Sequence, residues 1–164
     1  MDLIVAVSEN WAIGRNGNLL FSLPTDMKYF RKITAGRTLI LGRRNLDSFP
    51  GGRPLPKRTN LVLTRDPDFR REGAVICHSA EEVLSEAAAR PEDVMVIGGE
   101  EIYRMFLPRC RLAYVTYVET PVPNADRFFP NLEELPGWEK ISESETREEN
   151  GHRFSFRVYQ NQSL

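Results

Sequence analysis

Little in this chain marks it for a metal site, a disulfide scaffold or a membrane. It has two cysteines, Cys77 and Cys110, far apart and without partners at metal-ligand spacing, which fits two reduced thiols in apolar surroundings. Its two histidines, His78 and His152, leave little material for a zinc site or a Ser-His-Asp triad, so metal-free chemistry is expected. The apolar run near the amino terminus, Leu3 to Val7, is five residues long, neither a signal peptide nor a membrane span. Cytoplasm is therefore the expected compartment, and a membrane is not an expected partner. Charge of one sign is also missing: 22 Lys and Arg stand against 23 Asp and Glu, for a net charge of -1. Without a basic field, nucleic acid is not expected as the main partner. No Gly-Lys-Ser/Thr ending exists to complete a P-loop, which disfavours a nucleotide triphosphatase.

What is present is an ordinary soluble composition, 41% hydrophobic and 27% charged over 164 residues, enough for one domain spanning 1-164 with a full core. Short apolar runs alternate with helical patterns, which predicts an α/β fold. Strands are expected at Leu3 to Val7, Thr38 to Leu41, Asn60 to Leu63, Ala74 to Cys77 and Val94 to Ile97, apolar on both faces as in a mostly parallel, twisted sheet covered on two sides. About four helices flank it: one from Pro24, a short one after Gly42, one opened by Ser79 with Glu82 three residues on, and one over Glu100 to Leu107. The last third predicts a strand at Leu112 to Glu119. Two further runs, Trp138 to Glu145 and Arg153 to Tyr159, flank the Asn150-Gly151 turn signal of an antiparallel hairpin edge. The Pro-rich stretch from Thr120 to Pro130 reads as a long surface loop.

The most informative residue is Asp26. Pro24 suits the first position of a helix, and Leu23, Met27, Phe30 and Ile33 follow at helical spacing as an apolar stripe. Asp26 sits on that stripe, while Lys28, Arg31 and Lys32 take the solvated side. Two readings stand side by side: a first-turn carboxylate favoured by the helix dipole, or a desolvated group whose partner is a bound ligand.

In an open sheet of this kind ligands bind beyond the carboxyl ends of the strands. Thr38 to Leu41 ends in Gly42-Arg43-Arg44, Asn60 to Leu63 in Thr64-Arg65, and Val94 to Ile97 in Gly98-Gly99-Glu100-Glu101. Glycine turns that open helices, together with guanidinium groups, suit a phosphorylated dinucleotide. Each motif also has an ordinary reading as a turn or a solvated arginine; their coincidence at strand ends is the signal. Asn10 to Leu19 is a glycine-containing loop placed either to cover a site or merely to connect β to α.

Taken in order, these segments resemble the dihydrofolate reductase family over nearly the whole chain. The resemblance is carried by Ile4-Val5-Ala6 to Ile13-Gly14, Leu23-Pro24-Thr25-Asp26-Met27 with Phe30, Leu41-Gly42-Arg43, Gly52-Arg53-Pro54-Leu55-Pro56 with Arg58 and Asn60, Ile97-Gly98-Gly99 with Tyr103, Thr116, and Asp126 with Phe129-Pro130. It implies that NADPH gives a hydride to C6 of 7,8-dihydrofolate while N5 gains a proton, producing tetrahydrofolate for one-carbon metabolism. It further implies a catalytic set of Asp26, Thr116, Phe21 and Leu19, in which Asp26, supported by Thr116, assists the protonation. By the same carry-over Ile4, Val5, Ala6, Met27, Phe30, Phe49, Leu55, Ile97 and Tyr103 wall the substrate, and Arg58 clamps its glutamate carboxylate. The cofactor side would comprise Ala6, Ile13, Gly14, Asn18, Leu19, Gly42, Arg43, Arg44, Asn45, Leu63, Thr64, Arg65, and Ile97 through Tyr103, including Gly98, Gly99, Glu100, Glu101 and Ile102. A monomer that takes antifolate inhibitors is the further expectation. The chain departs from the family's habit at Leu20-Phe21, where Pro-Trp is common, at Asn45, where Thr is common, and at Phe49-Pro50-Gly51-Gly52, which carries an extra residue. A pyrimidine reductase of riboflavin biosynthesis with the same architecture, or a non-catalytic nucleotide-binding module, are the alternatives. Arg58 and the Asp26 helix speak against the first, and the second would need the phosphate edge but no buried carboxylate.

Overall fold

The structure, a computed structural model, describes residues 1–90 and 92–164. Its strands are β1 (Asp2–Val7), β2 (Ala12–Gly14), β3 (Thr38–Gly42), β4 (Thr59–Leu63), β5 (Ala74–Cys77), β6 (Val94–Gly98), β7 (Leu112–Val118), β8 (Arg127–Phe128), β9 (Trp138–Glu143), β10 (Arg147–Glu149) and β11 (His152–Asn161). The helices are α1 (Pro24–Thr34), α2 (Arg43–Asp47), α3 (Ala80–Ala88) and α4 (Glu100–Phe106), with 3-10 turns at Pro50–Gly52 and Leu107–Arg109. The nine-stranded sheet runs β10-β11-β7-β1-β6-β3-β4-β5, with β9 also paired to β11. The pairs from β7 across to β5 are parallel, and β11 lies antiparallel to β7.

Period-two alternation divides the core into two layers, one on each face of the sheet. Leu3, Val5 and Val7 of β1 join Ile40, Leu61, Val96 and Val115 under α3 and α4, which contribute Val83, Ala87, Ile102, Tyr103 and Phe106. Ile4 joins Leu39, Leu41, Val62, Met95 and Ile97 on the other face, closed by Leu46 of α2 and by Tyr29, Phe30 and Ile33 of α1. Strands apolar on both faces are what a sheet sandwiched between helices requires, which is why they read as unbroken hydrophobic runs.

The stripe on α1 is displaced from its expected centre. Leu23 is buried, but Met27 is 54% exposed, and the face that packs is formed by Asp26, Tyr29, Phe30 and Ile33, with Tyr29 stacked on Phe156 at 4.1 Å. Helical spacing fixes which residues share a face, whereas the neighbours, here Phe156 on β11, fix which part of that face is covered.

The carboxyl-terminal hairpin forms at Asn150-Gly151 as expected, with Arg147 to Glu149 paired to His152 to Phe154. The run expected from Trp138 to Glu145 is shorter, because β9 ends at Glu143 and pairs with the far half of β11. Ser144 causes the interruption. Its N–H donates to Phe156 O and its hydroxyl accepts from Phe156 N–H, both at 2.8 Å, so one side chain replaces a rung of the ladder. The stretch expected as plain loop from Thr120 to Pro130 contains β8, which pairs with β2 and ties this loop to the one leading into α1.

Candidate functional site

The sheet register places the site. Ala6 on β1 pairs with Thr116 on β7, which pairs with Phe156 on β11, so the three side chains share the face covered by α1. On α1, Asp26 meets that row: the Thr116 hydroxyl donates to Asp26 Oδ1 at 2.6 Å, and Thr116 is 1% exposed. Two opposing effects act on the carboxyl. Desolvation by burial pushes its pKa up, whereas the Thr116 hydrogen bond favours the ionised form, and the charge of Glu149 adds to the upward push. A hydrogen bond to a charged group contributes about 1.5–3 kcal/mol, less than the several kcal/mol that removing a carboxylate from water can cost. The net direction is accordingly upward from the ordinary aspartate value.

The neighbouring phenols do not compete for charge. Burial, with Tyr114 and then Asp26 adding to it, pushes the Tyr29 hydroxyl up to about 12. Tyr103 is raised further by burial and then by Asp26, and its hydroxyl donates to Ile4 O at 2.7 Å. Asp26 is thus a carboxyl whose ionisation burial opposes, with the neutral Tyr29 and Tyr103 hydroxyls near it and Glu149 the acidic neighbour that adds to the upward push.

The expected substrate wall is assembled on this face: Ile4 and Ile97 are buried in the α1-side layer, with Phe30, Phe49 and Leu55 packed against it and Met27 at its exposed edge. Val5 and Tyr103 are the exceptions: alternation turns the Val5 side chain into the opposite layer, and Tyr103 packs there from α4, with its hydroxyl reaching back to Ile4 O. Phe21 packs edge-on to His152, ring centroids 5.0 Å apart, and Leu19 is 83% exposed. Asn60 shapes the next segment by accepting from Leu55 N–H and donating to the carbonyls of Leu55 and Arg58. Arg58 then reaches the end of α1, donating from Nε to Thr34 Oγ1 at 3.0 Å, from Nη1 to Pro56 O and from Nη2 to Arg31 O. Each terminal nitrogen keeps one further N–H, which suits a carboxylate taken by two parallel bonds.

At the carboxyl ends of β3 and β6, α2 and α4 start at Gly42 and Gly99 with no side-chain cap, so their first-turn N–H groups lack a side-chain acceptor. A Cβ on Gly99 would meet nothing within 4 Å, while one on Gly98, at φ +110°, would lie 2.8 Å from the Tyr103 ring. The backbone is thus open on one side and pressed against Tyr103 on the other. Gly42 packs on Ile102, and Asn45 donates to Ile97 O at 3.0 Å, tying the two turns together. Glu100 accepts from Phe128 N–H, and Glu101 is exposed. Leu63 and Ile13 lean on the α3/α4-side layer, Thr64 Oγ1 accepts from Asp66 N–H, and Gly14 with Asn18 shapes the loop after β1.

The three arginines at strand ends differ. Arg43 pairs with Asp66 at 3.1 Å and Asp47 at 3.6 Å, and lies 4.2 Å above the Phe69 ring. Arg44 and Arg65 are exposed and make no ion pair among the described residues. His78, the residue after β5, lies with Nδ1 3.2 Å from Thr64 O at the neighbouring strand end. Among the described residues no cluster of His, Cys, Asp and Glu could hold a metal ion, and burial pushes the Cys77 and Cys110 thiols up to about 11 and about 12.

The same architecture recurs in known proteins. The sequence model of dihydrofolate reductase matches residues 1–161. The chain is 35% identical to dihydrofolate reductase of Bacillus subtilis (strain 168), covering 98% of this chain and 94% of that one. It is 44% identical to the enzyme of Mycobacterium leprae (strain TN) over 76% of this chain and 75% of that one. Among solved structures, dihydrofolate reductase from Enterococcus faecalis complexed with NADP(H) and RAB-propyl superposes with a TM-score of 0.86 at 34% identity, over 97% of this chain and 94% of that one. Match, relatives and superposition agree on one conclusion: the chain belongs to the dihydrofolate reductase family.

Proposed function

We propose that the chain catalyses the NADPH-dependent reduction of 7,8-dihydrofolate to tetrahydrofolate, with Asp26 as the group that recognises the pterin and assists protonation of N5. The observation that carries the role of Asp26 is its 2.6 Å bond from Thr116 on an apolar wall, where the only acceptable company for a carboxylate is a donor. The Thr116 hydroxyl spends its proton on Asp26 Oδ1, which leaves Asp26 Oδ2 and the Thr116 lone pairs to accept from the 2-amino and N3–H side of a pterin. Ile4, Ala6, Phe30 and Ile97 hold the ring flat and exclude water. Arg58 takes the glutamate carboxylate at the far end. NADPH, when bound, supplies the hydride, and the uncapped turns at Gly42 and Gly99 with Asn45 are the residues that would hold it. Alignment of two rings in a dry cleft supplies the rest of the catalysis. The flavin-pathway reductase is disfavoured by the family match. All these groups come from one chain, so a single-domain monomer suffices for this reading, with the cytoplasm as its proposed compartment.

Dihydrofolate-dependent oxidation of NADPH tests the reaction; cofactor binding without such oxidation overturns it. Replacement of the carboxyl tests Asp26. Asp26→Asn lowers turnover near neutral pH by about 100-fold or more while NADPH affinity holds. The sign for stability is opposite. A carboxyl raised in the folded state binds its proton more tightly than in the unfolded chain, so it costs stability as pH rises above the unfolded value. Asp26→Asn therefore melts higher than the parent at neutral pH, and this advantage vanishes in acid. An unchanged pH profile together with a lower melting temperature contradicts the assignment.

For the tail, Arg58→Leu raises KM for dihydrofolate by about 10- to 100-fold and leaves a pterin lacking glutamate less affected; equal losses for both contradict the clamp. For the cofactor's 2'-phosphate, the engaged state of Arg43 points to Arg44 and Arg65 as the free cations. Arg44→Gln or Arg65→Gln erodes the preference for NADPH over NADH, measured as the ratio of kcat/KM values. Loss of that preference in Arg43→Gln alone would show the phosphate to be misplaced.

A further inference from the structure

Helix α1 starts without a cap of its own. Its N-cap residue is Leu23, which offers no side-chain acceptor, and Pro24 has no N–H, so Thr25 carries the first backbone donor of the helix. That donor is met from 124 residues away. Glu149, the last residue of β10, accepts from Thr25 N–H through Oε1 at 2.9 Å and from the Thr25 hydroxyl through Oε2 at 2.6 Å. One residue on, the Asn150 side-chain amide donates to Ser22 O at 2.8 Å. The tip of the carboxyl-terminal hairpin therefore grips the chain on both sides of Pro24, immediately before Asp26.

We propose that Glu149 is a positioning residue for the reduction: from the hairpin it fixes the start of α1, and so Asp26 against Thr116, and it sets a second negative charge beside the Asp26 carboxyl. This rests on the reading of Asp26 as the proton-assisting group. Both Thr25 bonds, the hydroxyl first and the amide second, hold the Glu149 carboxyl below its ordinary range, so it stays ionised through neutral pH. Its charge then opposes ionisation of Asp26 and adds to desolvation. The other groups around Asp26 are Thr116 from β7, Tyr29 from α1 and Tyr103 from α4, none of them charged at neutral pH, while Lys28 faces Glu149 and offsets part of its field. A conventional Ser or Asp at the N-cap position would satisfy the helix start from within α1; here the capping carboxylate belongs to another element, so hairpin and site are mechanically linked.

The test is the pH dependence of single-turnover hydride transfer in the parent, Glu149→Gln and Glu149→Asp, with melting temperatures to confirm folding. In Glu149→Gln the loss of charge moves the midpoint of the profile to lower pH and slows transfer near neutrality by about two- to fivefold, with NADPH affinity unchanged. Glu149→Asp, which keeps the charge, retains the parent midpoint. Because the effect is partly exposed and electrostatic, added salt moves the parent midpoint in the same direction as Glu149→Gln and moves the variant less. Identical midpoints and salt responses in parent and Glu149→Gln overturn the proposal and leave Glu149 a helix cap, as does a Glu149→Asp variant that behaves like Glu149→Gln. Asp26→Asn in the same series separates the two claims: if it leaves the profile unchanged, the reading of Asp26 fails, whatever Glu149 does.

Discussion

The hydrogen bond from Thr116 to Asp26 is the contact on which the rest of the site depends. It joins the first helix to a strand 90 residues later, and it does so with a charge-bearing group on a face that is otherwise hydrocarbon. An aspartate there is poor for stability, since burial opposes its charge more strongly than one hydroxyl supports it. Under the proposed role, a ligand with N–H donors completes the shell of the carboxyl. A costly buried group kept on a packed face is a recognised mark of a functional site.

Around that contact the fold supplies rigid placement. Parallel pairing of β1 with β7 and β6 sets Ala6 beside Thr116 and brings the glycine turns after β3 and β6 to the same edge of the sheet. Two features meet there, the apolar wall on the α1 face and the uncapped helix starts at the strand ends, the regions proposed for pterin and cofactor. Asn45, donating to Ile97 O, and Tyr103, donating to Ile4 O, are the cross-links between them. Both are side chain to backbone bonds, so the turns are held even when side chains around them change.

Much of this was legible in the sequence because it rests on local pattern. The strands apolar on both faces, the capping box at Ser79 whose hydroxyl accepts from Glu82 N–H, and the Asn-Gly hairpin need no long-range knowledge. So does the anomaly of Asp26. What could not be read is set by partners distant in sequence. Met27 lies outside the packed face because Phe156 covers Tyr29 instead, Val5 turns away because register decides its layer, and β8 exists because β2 is there to pair with it. The engagement of Arg43 by Asp66 and Phe69, which separates it from Arg44 and Arg65, is likewise a tertiary fact. The grip of Glu149 on Thr25 has no local signal at all, since neither residue is unusual in its own segment.

The most direct measurement is the titration of the Asp26 carboxyl carbon by NMR, in the free protein and with a bound pterin that carries N–H donors. A midpoint above that of an ordinary aspartate in the free protein, falling when the pterin binds, is the expected result. A free-protein midpoint at or below the ordinary value, unmoved by the ligand, would contradict the account of Asp26 as a desolvated carboxyl awaiting its partner.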